Sequence, residues 1–255
     1  MVQPALMFGA ALSILSAVIY FYVGRVLSQR RVANPDARLA WVLFVIWWYA
    51  LASSTLIGAV LSLLGALDIA GLPLFITLTQ VNLLAICVAL FGLMYYLIYL
   101  FTGNQRLLVP LVVFYIAYYI LVIYYVQARI PVGVSIGRWS ATLNYELPAQ
   151  GPFYIVVLVL LIFPQVLGSL AYFTLYFRVK TATQKYRILL VSWSILIWFL
   201  SAFLASISGL SEQDWWQVTS RLIALAASLA ILLAYDPLPW IRRRLGVTSI
   251  VEEPA

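Results

Sequence analysis

The sequence predicts an all-α integral membrane protein, a bundle of seven transmembrane helices, on three observations. Hydrophobic residues fill 65% of the 255 positions and charged residues only 9%, too little polar surface to cover a water-soluble globule. Seven continuous apolar runs occur, each long enough for the roughly 20 residues that a helix needs to cross about 30 Å of hydrocarbon. Nearly all the charges fall between those runs. A membrane β-barrel would instead show alternating segments of about ten residues.

The runs cover about 4–27, 39–65, 72–101, 107–127, 151–177, 188–210 and 215–240. Run 1 has no basic stretch ahead of it and continues to Arg25, Arg30 and Arg31, which reads as a retained span and not a cleaved signal peptide. Run 2 carries Trp47, Trp48 and Tyr49 ahead of Ser53, Ser54 and Thr55, and run 3 carries Thr77, Thr79, Gln80 and Asn82 in its first half. The tyrosines of run 4, among them Tyr115, Tyr118 and Tyr124, suit a helix interface or lipid contact better than a ligand stack. Run 5 places Pro164 and Gln165 near mid-membrane, where proline frees a backbone carbonyl and supplies either a hinge or a packing feature. Run 6 contributes Ser201 and Ser206. Run 7 contributes Gln217, Ser220 and Arg221, then closes at Asp236 and Pro237, with Asp236 expected to pair with Arg242 or Arg243 or with a basic loop residue.

The connections set the topology. Lys and Arg concentrate in the first, third and fifth connections and after run 7, whereas the opposite side holds Arg129 and Arg138. The positive-inside rule then places the N-terminus outside and the C-terminus inside. The net charge of +7 is thereby explained by orientation, not by a nucleic-acid partner. The connection 128–150 is long enough to cap the outer mouth of the bundle or to lie as a surface loop. Residues 1–245 form a single transmembrane domain, and 246–255 a short cytoplasmic tail that would pass any inward signal to a partner.

A weak internal repeat links the two halves. Tyr20–Val26 (YFYVGRV) resembles Tyr172–Val179 (YFTLYFRV), the aromatics of run 2 match Trp198 and Phe199, and Gln80, Val81 and Asn82 match Gln217, Val218 and Thr219. This is the pattern of a parallel 3+1+3 duplication with run 4 as linker, and chance likeness between apolar helices competes with it.

Composition excludes much chemistry. With no histidine and one cysteine, Cys87, the chain offers no bis-His haem, His- or Cys-based metal site or internal disulfide. No Ser/His, Asp/Asp or metal set supports an intramembrane enzyme. Run 7 lacks the lysine that a retinal Schiff base needs. What remains is a set of polar residues in the outer half of the spans: Thr79, Gln80, Asn82, Gln217, Ser220 and Arg221. Arg221 enters the core by roughly 9 Å, counted at 1.5 Å per residue from Trp215, where a cation needs partners. These groups either line a ligand pocket or tie helices together, as intramembrane polar residues commonly do.

The stretch Gly151–Phe199, with the shorter Thr102–Ile116, resembles the seven-helix sensor modules that precede signalling domains in bacterial histidine kinases. The resemblance implies a prokaryotic cytoplasmic membrane, a ligand or membrane-state sensor and a partner that supplies the output domain. The 3+1+3 layout and the Pro164–Gln165 pair also resemble the sugar-transporting SWEET and PQ-loop families, although run 1 offers only Pro4 where those families carry a proline motif. The leading expectation is a receptor-like or sensor-like protein that binds a small, partly apolar ligand or lipid in the outer half of the bundle and signals through a membrane or cytoplasmic partner. A small-solute transporter and an accessory subunit of a larger complex stand beside it.

Overall fold

Lipid offers no hydrogen-bond partner to a peptide group, so an apolar run must close its backbone bonds within a helix. The computed structural model describes residues 3–30, 34–69, 71–146, 152–208 and 214–249; the side chains of 152–158, 160, 161, 164, 165, 200–208, 214 and 217 are not among those described. Its long helices are α1 (Pro4–Ser28), α2 (Arg38–Ala66), α3 (Leu72–Thr102), α4 (Leu108–Ala128), α5 (Pro152–Thr174), α6 (Ala182–Ser208) and α7 (Asp214–Tyr235), followed by the short α8 (Pro239–Leu245). Among the described residues, five helical stretches are long and apolar enough to cross a membrane: Pro4–Ser28, Pro35–Ala66, Leu72–Thr102, Gln105–Ala128 and Val218–Tyr235. The chain is an all-α membrane protein.

Proline in the first turn starts α1, α3 and α8, where its missing N–H costs nothing. Left-handed glycines stop α3 (Gly103, φ 64°) and α8 (Gly246, φ 62°). Helix limits follow the apolar runs except on the last two. α6 begins at Ala182, several residues before its apolar run, because a polar first turn can stay helical outside hydrocarbon. α7 ends at Tyr235, since Pro237 and Pro239 cannot continue a helix, and the chain restarts as α8.

Successive helices pack side by side: α1 on α2, α2 on α3, α5 on α6, α6 on α7. Contacts of α7 with α1 and of α3 with α5 close a six-membered ring, and α4 lies outside it against α3 and α5. The lining of the ring is aromatic around α2. Phe44 stacks on Tyr96 of α3 with ring centroids 4.2 Å apart, while Trp48 meets Tyr20 of α1 at 6.1 Å and Tyr235 of α7 at 6.0 Å. Trp47 and Trp48 are fully buried. Gly92 lets α3 reach the α2 backbone, since a Cβ there would lie 2.5 Å from the Leu43 carbonyl oxygen. On α4, Val109, Val113, Ile116 and Ile120 make an exposed apolar stripe at helical spacing, while Tyr115 and Tyr118 are buried on the other side.

The two ends of the bundle differ. Between α4 and α5 the connection forms a hairpin, β1 (Pro131–Ile136) and β2 (Ala141–Tyr145), antiparallel with Ser135 opposite Thr142. It packs on α2 and α3, with Ala141 against Gly65, and Trp139 meets Phe8 of α1 edge-on at 6.5 Å. The Arg129 guanidinium lies over the Tyr145 ring at 3.9 Å. Burial raises the Tyr145 phenol above its ordinary range despite the opposing pull of Arg129. The short strands lack the longer alternation that marks a sheet in sequence, so the docked hairpin is an addition to the all-helical expectation. The other, basic end carries α8, and the Asp236 carboxylate there accepts from Arg242 Nη2 at 2.8 Å and from Ser249 Oγ at 2.6 Å, as the sequence suggests for Arg242.

Gly92→Val should therefore destabilise the bundle by about 1–3 kcal/mol through overpacking, read as a lower Tm in a detergent melting assay. Gly58→Ala, where a Cβ meets nothing within 4 Å, is the control and should leave the Tm unchanged. Equal melting of the two variants would contradict the close α2–α3 approach.

Candidate functional site

Arg221 of α7 lies in the seam where α7 meets α1 and α2. Its Nη2 donates to Ser62 Oγ at 2.9 Å, and Ser62 Oγ donates to the Gly58 carbonyl at 3.0 Å. The guanidinium occupies the space that a side chain at Gly9 would need. Nη1 is buried without a hydrogen-bond partner among the described residues. A charged hydrogen bond contributes about 1.5–3 kcal/mol and an unsatisfied buried donor costs a similar amount, so this arrangement links three helices without adding much net stability.

The α3 residues sit elsewhere. Ser54 Oγ donates to Asn82 Oδ1 at 2.7 Å, joining α2 to α3. Ser54 is about 12 Å along α2 from Ser62 at 1.5 Å per residue, so Asn82 and Arg221 belong to separate seams. Tyr119 of α4 donates to the Gln80 backbone carbonyl at 3.5 Å, and Thr79 and Gln80 are half-buried. Ser220 is also half-buried, one residue before Arg221. The side chains of Gln217, Pro164 and Gln165 lie outside the described ones; α5 runs helical through 164 and 165. A cavity of about 730 Å³ opens at the hairpin end against Gln3, Gly65, Asp68 and Arg138, and none of the sequence-predicted site residues is among its described lining residues.

The basic end holds a more built site. A cavity of about 520 Å³ is lined from all six helices of the ring or the turns that follow them: Arg30 after α1, Trp41 of α2, Tyr96 of α3, Tyr172 of α5, Arg187 of α6 and Tyr235 of α7. Phe44 and Gln184 complete its polar and aromatic character, and no Asp or Glu lies among its described lining residues. A narrow apolar cleft shares Phe44, Tyr96 and Tyr172 with it and continues to Trp47, Leu97 and Ile195. Arg30 and Trp41 also line a neighbouring cavity of about 550 Å³ beside Arg38. The indole N–H of Trp41 is buried without an acceptor among the described residues.

The chain after α8 folds back to this cavity. Arg187 Nη2 donates to the Thr248 carbonyl at 3.1 Å, and the Thr248 N–H donates to Thr183 Oγ1 at 3.1 Å. Ser249 and Val247 are buried. Sequence reasoning missed this site because its arginines are accounted for by topology and its aromatics come from four separated helices. The available signal was an aromatic residue near the basic end of each of α2, α3, α5 and α7: Trp41, Tyr96, Tyr172 and Tyr235.

No family model matches the chain, and no curated protein or solved structure is significantly similar to it.

The Arg221 seam yields a coupled prediction. Gly9→Val should lower stability by about 1–3 kcal/mol by displacing the guanidinium, and Arg221→Ala in the same chain should recover part of that loss. A double-mutant cycle on Tm measures the coupling; strictly additive effects would contradict the contact.

Proposed function

We propose that this chain is a seven-span protein of a prokaryotic cytoplasmic membrane, N-terminus outside and C-terminus inside, that works as a ligand-binding sensor. The small, partly apolar ligand enters from the basic, cytoplasmic end, and not in the outer half where the sequence alone points. The observation that carries this reading is the cavity of about 520 Å³ on which all six ring helices converge. Its size falls in the range of about 300–1,000 Å³ usual for small-molecule sites, and its aromatic walls with few polar groups fit one. On this reading Thr79, Gln80, Asn82, Gln217, Ser220 and Arg221 hold helices together. The orientation is supported by the basic residues gathered at the end of α8 and by the sparse charge of the hairpin.

Arg187 supplies the route to a partner. It lines the cavity and also holds the Thr248 carbonyl, so a ligand that draws on its guanidinium shifts the balance between docked and released tail. The released segment would be what a cytoplasmic partner reads.

One observation favours transport as a second reading. A two-fold axis that relates α1–α3 to α5–α7 converts the α1–α7 contact into the α5–α3 contact, and both are present with α4 outside the ring. That order fits a parallel 3+1+3 duplication. A transporter would also need a path from the basic-end cavity to the hairpin end.

Native mass spectrometry after gentle release from the membrane tests the ligand-site reading. One small molecule per chain is expected, retained in Arg221→Ala and lost in Leu100→Trp, which fills the cavity wall. A molecule lost in Arg221→Ala and retained in Leu100→Trp would overturn the basic-end site in favour of the outer-half pocket.

A further inference from the structure

We infer that the cavity at the hairpin end is a second ligand site, and that it takes a small zwitterion, a molecule with an ammonium group and a carboxylate or phosphate a few bonds apart, bound between Asp68 and Arg138. This site is separate from the basic-end cavity, and on the proposed orientation it faces outward.

Its walls come from three parts of the chain: the start of α1 with Gln3, the end of α2 with Gly65 and Asp68, and the hairpin tip with Ile136 and Arg138. The volume of about 730 Å³ is usual for a small-molecule site. Asp68 and Arg138 are the charged groups among the described lining residues, one of each sign. Both are exposed, so a solute reaches them. No ion pair or hydrogen bond joins either side chain to another described residue, and the Arg138 guanidinium lies 5.6 Å from the Trp139 ring centroid. Two opposite charges thus share one cavity without meeting, and a ligand that carries both signs can bridge them.

The backbone under each charge is fixed. Asp68 has φ 58°, the left-handed conformation that glycine usually takes after a helix. The Asp68 N–H donates to the Gly65 carbonyl at 3.2 Å and the Ile69 N–H to the Leu64 carbonyl at 3.0 Å, which locks this turn. A carboxylate therefore stands where glycine would sit with less strain. On the facing wall the Gly137 N–H donates to the Ser140 carbonyl at 2.8 Å and closes the tip that carries Arg138. Ala141 against Gly65 and Trp139 against Phe8 dock that tip on α2 and α1. Walls ordered in advance lower the cost of binding.

Charge then selects the ligand class. A single anion would gain Arg138 and be repelled by Asp68, and a single cation the reverse. A neutral molecule that displaced water would leave both charges without a partner. A zwitterion engages the two at once through charge-assisted hydrogen bonds, which are about twice as strong as neutral ones. The Gln3 amide, with donors and an acceptor, suits the polar part between them.

Saturation-transfer NMR titrations of the full chain in dodecyl maltoside micelles give the test. The probes are glycine, 4-aminobutyrate, 6-aminohexanoate and glycerophosphoethanolamine, set against butyrate and butylammonium. The best zwitterion should bind at least about tenfold more tightly than either single-charge probe. Asp68→Asn, which a left-handed turn accepts, should weaken it about tenfold and leave it no better than butyrate. Arg138→Gln should weaken it about tenfold and leave it no better than butylammonium. Glu146→Gln, at the same end but outside the described lining, and Leu100→Trp in the basic-end cavity should change nothing. Melting curves confirm that each variant is folded.

The probes also separate the source of the ligand. Tightest binding by glycerophosphoethanolamine would support a lipid headgroup, and tightest binding by one of the amino acids a soluble solute. Equal binding of single-charge and zwitterionic probes, no binding by any probe, or full zwitterion binding in both Asp68→Asn and Arg138→Gln would overturn the site. Because Leu100→Trp acts on the other cavity, either site can fail without the other.

Discussion

The close approach of α2 to its neighbours is the contact on which the rest of the bundle depends. Surrounded by hydrocarbon, helices gain nothing by hiding apolar surface from one another, so packing and hydrogen bonds must hold them. Gly92 removes a side chain where α3 meets the Leu43 carbonyl, and this lets Phe44 stack on Tyr96. Trp48 then reaches both Tyr20 of α1 and Tyr235 of α7. One helix thus fixes the positions of three others, and its aromatic face becomes part of the floor and wall of the basic-end cavity.

The ends of the bundle diverge because different chemistry closes them. At the hairpin end, small residues allow close contact: Gly65 admits Ala141 of β2, and Trp139 packs on Phe8. At the basic end, bulky aromatics and long arginines hold the helix termini apart and leave volume between them. The chain after α8 is tied to that end through Thr183 and Arg187.

Much of the fold was legible because lipid imposes a simple rule, a span of minimum apolar length. Pro4, Leu72 and Ala128 bound helices almost where the apolar runs do. The hairpin was hidden, since its strands of six and five residues follow no extended alternation. Of the polar residues singled out from sequence, Arg221 and Asn82 do meet polar partners, Ser62 and Ser54, but in two seams rather than one pocket. Helical periodicity fixes a residue's depth and face on its own helix and says little about which neighbour that face meets. The cavity at the basic end required that pairing of neighbours, because Tyr96, Tyr172 and Tyr235 become one wall only when α3, α5 and α7 converge.

On the proposed orientation, the basic-end cavity is entered from the cytoplasmic side. Tyr172→Cys in a Cys87→Ser background, labelled with a membrane-impermeant maleimide in everted and right-side-out vesicles, measures it most directly. The account predicts labelling in everted vesicles and protection in right-side-out ones. Labelling from the hairpin side, or equal reaction from both sides, would contradict it.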